Sequence, residues 1–184
     1  MPSGIIEPDF PARTLFLLRH ATAEQDAPRD HQRPLSVHGL AEAEALGAVW
    51  KNLLHWPEII RCSDALRTQQ TCKHLCQGAG EAIPDTWEPV LYDANPGDVL
   101  EIIQALPAET RSALIIGHNP TIHQTAAMLS QPETLYGPAG KSLMRGYAPC
   151  TLTVMHVPSE RTWAQIAPAT LILHSIHRSQ DGWI

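Results

Sequence analysis

Thr14-Leu15-Phe16-Leu17-Leu18-Arg19-His20 is the stretch from which the rest of the chain can be read. From Thr14 to Leu18 the run is almost wholly apolar, with none of the alternation expected of a strand wet on one face. That is the pattern of a strand buried on both sides, in the middle of a sheet covered by helices. The run stops abruptly at a guanidinium and an imidazole. In open α/β sheets the crevice beyond the carboxyl ends of the strands is where ligands bind, so Arg19 and His20 are the first candidates for a site.

Reading outward, Ala21 to Arg33 is polar, carries Pro28 and reads as a surface loop. Ser36 is placed to cap a helix in which Leu40, Ala43, Leu46, Trp50, Leu53 and Leu54 recur at helical spacing until Pro57. Glu58 to Cys62 reads as a second strand. A helix from Asp64 to Gln77 follows, stopped by Gly78 and Gly80, with Arg67 in its first turns. Asn95-Pro96-Gly97-Asp98 combines a cap, a proline at the first helical position and an acid in the first turn of a helix reaching Leu106. The third strand, Ala113 to Ile116, ends at Gly117-His118-Asn119-Pro120, and a helix with Ile122, Ala126 and Leu129 follows. Gln131 to Pro149, rich in Gly and Pro, reads as a long loop or flap, and Thr151–Val157 and Thr162–Ile166 as two closing strands. Three repeats of strand, sharp junction and helix predict an α/β three-layer sandwich, a mostly parallel central sheet with helices on both faces. Residues 1–184 are expected to form a single domain.

Bulk properties narrow the function classes. With 43% hydrophobic and 17% charged residues the composition is globular, and no run of about 18 apolar residues predicts a membrane span. Met1 to Arg13 holds three prolines and two acids instead of a basic and then apolar leader, so a cytoplasmic protein is expected. Cys62, Cys72, Cys76 and Cys150 lack a disulfide-framework spacing and are expected to be free thiols. A formal net charge of −6 argues against nucleic acid and anionic membrane as partners. The ten histidines include no pair with the spacing and neighbouring acid of a helical zinc site; His118/His123 and His174/His177 come nearest. No metal and no cofactor are expected.

The three strand ends share one chemistry. Arg19-His20 follows the first, Arg67 lies one helical turn past the second, and His118-Asn119 follows the third. Two arginines can hold a phosphate dianion through forked hydrogen bonds, and two imidazoles can divide attack on phosphorus from stabilisation of its oxygens. The catalytic candidates are therefore His20, Arg19, Arg67 and His118, with Arg19, Arg67, His118 and Asn119 as substrate-binding candidates. Flanking guanidinium charges keep one nitrogen of His20 unprotonated near neutral pH, and its other nitrogen needs an acceptor such as a backbone carbonyl. With the second strand beside the first, Arg67 projects into the crevice. Asn119 has two available jobs, capping the next helix or touching phosphate. Arg33 either reaches the site or pairs with an acid of the adjacent helix. Asp93 is the acid best placed by position, although a turn role suits it better. The remaining histidines, His31 among them, are read as structural or exposed.

Leu17-Leu18-Arg19-His20-Ala21, Arg33-Pro34-Leu35-Ser36 with Gly39, Ser63 to Thr71, and Gly117-His118-Asn119-Pro120 resemble the histidine phosphatase superfamily in order and spacing. Leu91-Tyr92-Asp93-Ala94 and Gly-His-Asn-Pro are most similar to its SixA-like phosphohistidine phosphatase branch. The resemblance implies a phosphoglycerate mutase-like fold, a phosphorylated His20, phosphate binding by Arg19 and Arg67, and a pocket completed by His118. Ala21 replaces the usual glycine of Arg-His-Gly. No glutamate is evident where mutase-type members carry their general acid, which favours a phosphohistidine substrate, because a protonated imidazole is already a good leaving group.

The expected function is thus a metal-independent phosphohydrolase acting on a phosphorylated substrate, with a phosphohistidine-bearing protein among the candidates. The alternatives are a broad phosphomonoesterase or mutase-like enzyme of the same superfamily, or a non-catalytic phosphate-binding module.

Overall fold

The computed structural model describes residues 13–84, 87–178 and 182–183, apart from the side chains of 51–53 and 182–183. The expectations for Met1 to Ala12 and for the Leu53 side chain lie outside the described residues.

Among the described residues six strands form one sheet: β1 (Arg13–Arg19), β2 (Ile59–Cys62), β3 (Ser112–Gly117), β4 (Leu152–Val157), β5 (Ile172–Arg178) and β6 (Gly182–Trp183), in the order β2-β3-β1-β4-β5-β6. The pairs β2/β3 and β3/β1 are parallel, whereas β4, β5 and β6 each run antiparallel to the strand before them. Four strands therefore share one direction, which fits the expected three-layer α/β sandwich. The second strand does not lie beside the first, because β3 is inserted between them.

Alternation along β1 and β3 builds two cores. Phe16, Leu18, Leu114 and Ile116 pack with Ala43, Leu46 and Trp50 of α1 (Val37–Leu53) and with Cys72, Leu75 and Cys76 of α2 (Leu66–Ala79). Leu15, Leu17, Ala113 and Ile115 face the other way, onto α3 (Pro96–Gln104), α4 (Thr121–Leu129) and α5 (Pro138–Met144). All four cysteines are buried free thiols. Local chemistry sets the helix starts: Ser36 Oγ accepts the Gly39 N–H, and Asn95 and Asp98 form a reciprocal capping box.

Three expectations need correction. Gly78 does not stop α2, which runs to Ala79 and ends on Gly80 in the left-handed conformation. A Cβ on Gly78 would lie 1.9 Å from the Glu44 carbonyl oxygen, and one on Gly47 would lie 2.0 Å from that of Leu75. These glycines let the backbones of α1 and α2 touch. Gln131–Pro149 is not a loop: Pro132 and Pro138 occupy first-turn positions of a 3-10 helix (Pro132–Tyr136) and of α5. Thr162–Ile166 is not a strand. Thr162 and Gln165 form a capping box around a 3-10 turn, and the Trp163 indole donates to the Thr110 carbonyl at 2.8 Å, anchoring the turn in the core. The strand that pairs with β4 is Ile172–Arg178, whose polar His174, Ser175 and His177 obscure its pattern.

Candidate active site

The register of the parallel strands places the site. Arg19 pairs with Gly117 and Cys62 with Ile116, so His20, Ser63 and His118 emerge side by side from β1, β2 and β3. Backbone bonds continue past the strands: the His20 N–H donates to Gly117 O at 3.1 Å, and the Ser63 N–H to Ile116 O at 3.1 Å. The His20 and His118 rings lie 5.4 Å apart, centroid to centroid.

His20 is buried, and its Nδ1 lies 2.7 Å from the carbonyl oxygen of Ala21. A carbonyl only accepts, so Nδ1 carries the hydrogen and Nε2 keeps its lone pair. Burial pushes the His20 pKa down to about 4, and the charges of Arg67, Arg19 and Arg33 push the same way. His118 is lowered to about 3, again mainly by burial and then by Arg67 and His20. Both rings are therefore neutral near pH 7. His118 Nε2 lies 2.9 Å from the hydroxyl of fully buried Ser63. Its Nδ1 is buried without a hydrogen-bond partner among the described residues.

The two arginines are held from opposite layers. Arg19 Nη1 donates to the Tyr147 carbonyl at 2.5 Å, just beyond α5, and burial lowers its pKa. Arg67, in the first turn of α2, donates from Nη1 to the Asp30 carbonyl at 2.8 Å and from Nη2 to Asp30 Oδ2 at 3.0 Å. Its guanidinium carbon lies 5.7 Å from the centre of the Tyr92 ring, which meets His118 edge-on at 5.6 Å. Although β2 is not beside β1, α2 still reaches the first strand end: Thr71 Oγ1 accepts the Ala21 N–H at 3.0 Å and donates to Arg67 O at 2.7 Å.

Arg19, His20, Arg67 and His118 are thus brought together as expected. Asn119 donates from Nδ2 to Tyr147 O at 3.3 Å while its Oδ1 is buried without a partner among the described residues. It does not cap α4, whose cap residue is Pro120. Arg33 pairs with Asp30 at 3.0 Å, within its own loop instead of with the adjacent helix. Asp93 is exposed, and among the described residues no hydrogen bond or ion pair ties it to the four. His31 is nearer the site than its sequence position suggested, bonding Asp64 at 2.9 Å and meeting Tyr92 edge-on. Sequence reasoning did not single out Ser63, Asp30, Tyr92 or Tyr147. The available signals were Asp30-x2-Arg33 in the loop after His20 and the Leu91-Tyr92-Asp93-Ala94 segment.

Residues 15–110 match the sequence model of the histidine phosphatase superfamily, branch 1. The chain belongs to that superfamily. A solved structure from Nakamurella multipartitia, provisionally identified as the phosphohistidine phosphatase SixA, is 32% identical with a TM-score of 0.79, over 91% of this chain and 98% of that one. The phosphohistidine phosphatase SixA of Escherichia coli is 32% identical over 65% of this chain and 76% of its own length. An uncharacterized Mycobacterium tuberculosis protein is 29% identical over 87% of this chain and 98% of its own length. The structure of SixA complexed with tungstate, 23% identical over 90% of this chain and 97% of that one with a TM-score of 0.71, shares the fold. Membership in the superfamily, with these neighbours, makes the chain a phosphatase. Among the described residues no helix is long and apolar enough to cross a membrane.

Proposed function

We propose that this phosphatase hydrolyses phosphohistidine or a related P–N phosphate through a phosphorylated His20, working as one domain in the cytoplasm. The carrying observation is the His20 ring: Nδ1–H anchored on Ala21 O, Nε2 left as an uncharged nucleophile, and a pKa held near 4. In the first step the Nε2 lone pair attacks phosphorus and the P–N bond to the substrate breaks. The departing imidazole takes the bonding pair and, already protonated on its other nitrogen, leaves neutral. Arg19 and Arg67 hold the phosphoryl oxygens. If the Ser63 hydroxyl donates to Nε2 of His118, the hydrogen of that ring sits on Nδ1, a buried donor suited to a phosphoryl oxygen. In the second step water attacks phosphorus, the P–Nε2 bond breaks and phosphate departs.

Among the described residues the only carboxylate tied to Arg67 is that of Asp30, held well below the usual carboxylate range by hydrogen bonds from Tyr92 and Arg33 and by Arg67. An ionised carboxylate gives no proton to an alkoxide, which supports a P–N substrate over an alkyl phosphate. A substrate panel pairing a phosphohistidine peptide with aryl and alkyl phosphates, run with and without chelator, tests the reading. Turnover should favour the phosphohistidine peptide, persist in chelator, and vanish in His20→Ala, with wild type yielding an acid-labile, base-stable phosphoenzyme on rapid quenching. Full activity in His20→Ala would sink it, and a preference for alkyl phosphates would return the assignment to a broad phosphomonoesterase.

A further inference from the structure

Asp30 opens the 3-10 turn Asp30–Gln32 in the loop between β1 and α1, and four hydrogen bonds from side chains converge on it. Its main-chain oxygen accepts from Arg67 Nη1 at 2.8 Å, and its Oδ2 accepts from Arg67 Nη2 at 3.0 Å and from the Tyr92 hydroxyl at 2.7 Å. Its Oδ1 accepts from Arg33 Nη1 at 3.0 Å. One residue thus grips both terminal nitrogens of Arg67, through backbone and side chain together. The base of the loop is pinned by the Ala23↔Leu35 bridge, and Arg33 Nε ties back to the Glu24 carbonyl at 2.7 Å.

We infer that Asp30 is a positioning residue for Arg67: its two-point grip fixes the plane of the guanidinium so that the N–H groups it leaves free are aimed at the phosphoryl group on His20. The inference rests on the proposal that Arg67 holds the substrate phosphate. A guanidinium has five N–H bonds, and the grip uses two, leaving Nε–H and one hydrogen on each Nη for phosphate. Arg67 is buried, but its side chain is long and flexible. Without the grip, substrate binding itself would have to order it. A carboxylate that merely occupied the phosphate position would have to be expelled by substrate. The main-chain bond from Asp30 to the same guanidinium points instead to a fixed brace. The Asp30 side chain is 53% exposed, so water screens its negative charge toward an incoming anion. Tyr92 steadies the brace twice, by donating to Oδ2 and by lying against the guanidinium.

The test uses the full chain with tungstate as an inert probe, followed by calorimetry, beside turnover of a phosphohistidine peptide. Asp30→Ala removes the side-chain half of the grip and should weaken tungstate binding on the order of 10-fold, with a similar loss in kcat/KM. Asp30→Asn keeps an oxygen facing Arg67 and Tyr92 without the charge, and should recover binding to within about 3-fold of wild type. Arginine side-chain NMR adds a readout that a general loss of stability would not move. The Arg67 N–H signals should be resolved in wild type and Asp30→Asn and averaged in Asp30→Ala. Tighter tungstate binding in both variants would show the carboxylate competing with phosphate and overturn the inference. Unchanged binding in Asp30→Ala would also overturn it while leaving the proposed function standing. Wild type failing to bind tungstate would defeat both.

Discussion

At the residue scale, His20 owes its character to three features a few ångströms away. Burial removes the water that would stabilise an imidazolium, nearby guanidinium charges oppose a further positive charge, and the Ala21 carbonyl takes the Nδ1 hydrogen. The carbonyl bond by itself would raise the pKa, so desolvation and the arginines outweigh it. The ring should therefore stay neutral far below the ordinary histidine range of about 6.5. An NMR titration of ring nitrogens should show His20 as the Nδ1–H tautomer at pH 7 and still uncharged at pH 5.5, protonating only toward about 4. A midpoint near 6.5 would mean that water reaches the ring and that the arginines lie farther away than the structure places them.

At the element scale, the position of α2 matters because it carries Arg67 and sends Thr71 to the residue after His20. Close approach to α1 fixes it laterally, and that approach depends on having no side chain at Gly47 and Gly78. In Gly78→Ala the new Cβ would sit 1.9 Å from the Glu44 carbonyl oxygen. Backbone cannot rotate aside as a side chain does, so the helices must separate. The variant should lose about 1–3 kcal/mol of stability in a urea titration, even though alanine is the better helix former. A gain in stability would show that propensity outweighs the clash and that the two helices are not in contact. The same logic explains Gly140 in α5, where a Cβ would lie 2.0 Å from the Leu135 carbonyl oxygen.

At the scale of the whole molecule, a neutral buried site has a consequence for acid stability. Between pH 6.5 and about 4 the unfolded chain protonates His20 and His118 while the folded protein does not. Unfolding then takes up protons, so stability falls as pH drops through that window and levels off below the folded pKa values. Each unit of depression corresponds to about 1.4 kcal/mol, so the two rings together make the loss substantial on the scale of a domain's stability. Asp30, shifted downward, stabilises the fold above the ordinary carboxylate range and loses that contribution only at lower pH, outside this window. Urea titrations at pH 7 and 4.5 should show a drop in wild type and a smaller one in His20→Asn. Equal drops would mean that His20 is not the neutral, desolvated ring described.

The sequence by itself determined the chemistry and the end of the sheet at which it gathers. Leu15 to Leu18 and Ala113 to Ile116 are apolar throughout because both faces of a central strand are buried, and each run ends one or two residues before a residue that carries function. Helix caps at Ser36 and Asn95 were legible because a cap depends on neighbours two or three positions away. Only the tertiary structure decided what depends on residues far apart in the chain. Placing β3 between β1 and β2 is a choice among crossovers that local pattern does not encode. The pairing of Ile172–Arg178 with β4 was hidden because three polar residues interrupt its apolar pattern. Asp30 read as one acid in a polar loop, and it acquired a role only when folding set it against an arginine 37 positions away and a tyrosine 62 positions away. Tyr147 contributes to Arg19 through its main-chain carbonyl, a group every residue possesses, so no side-chain identity could have announced it.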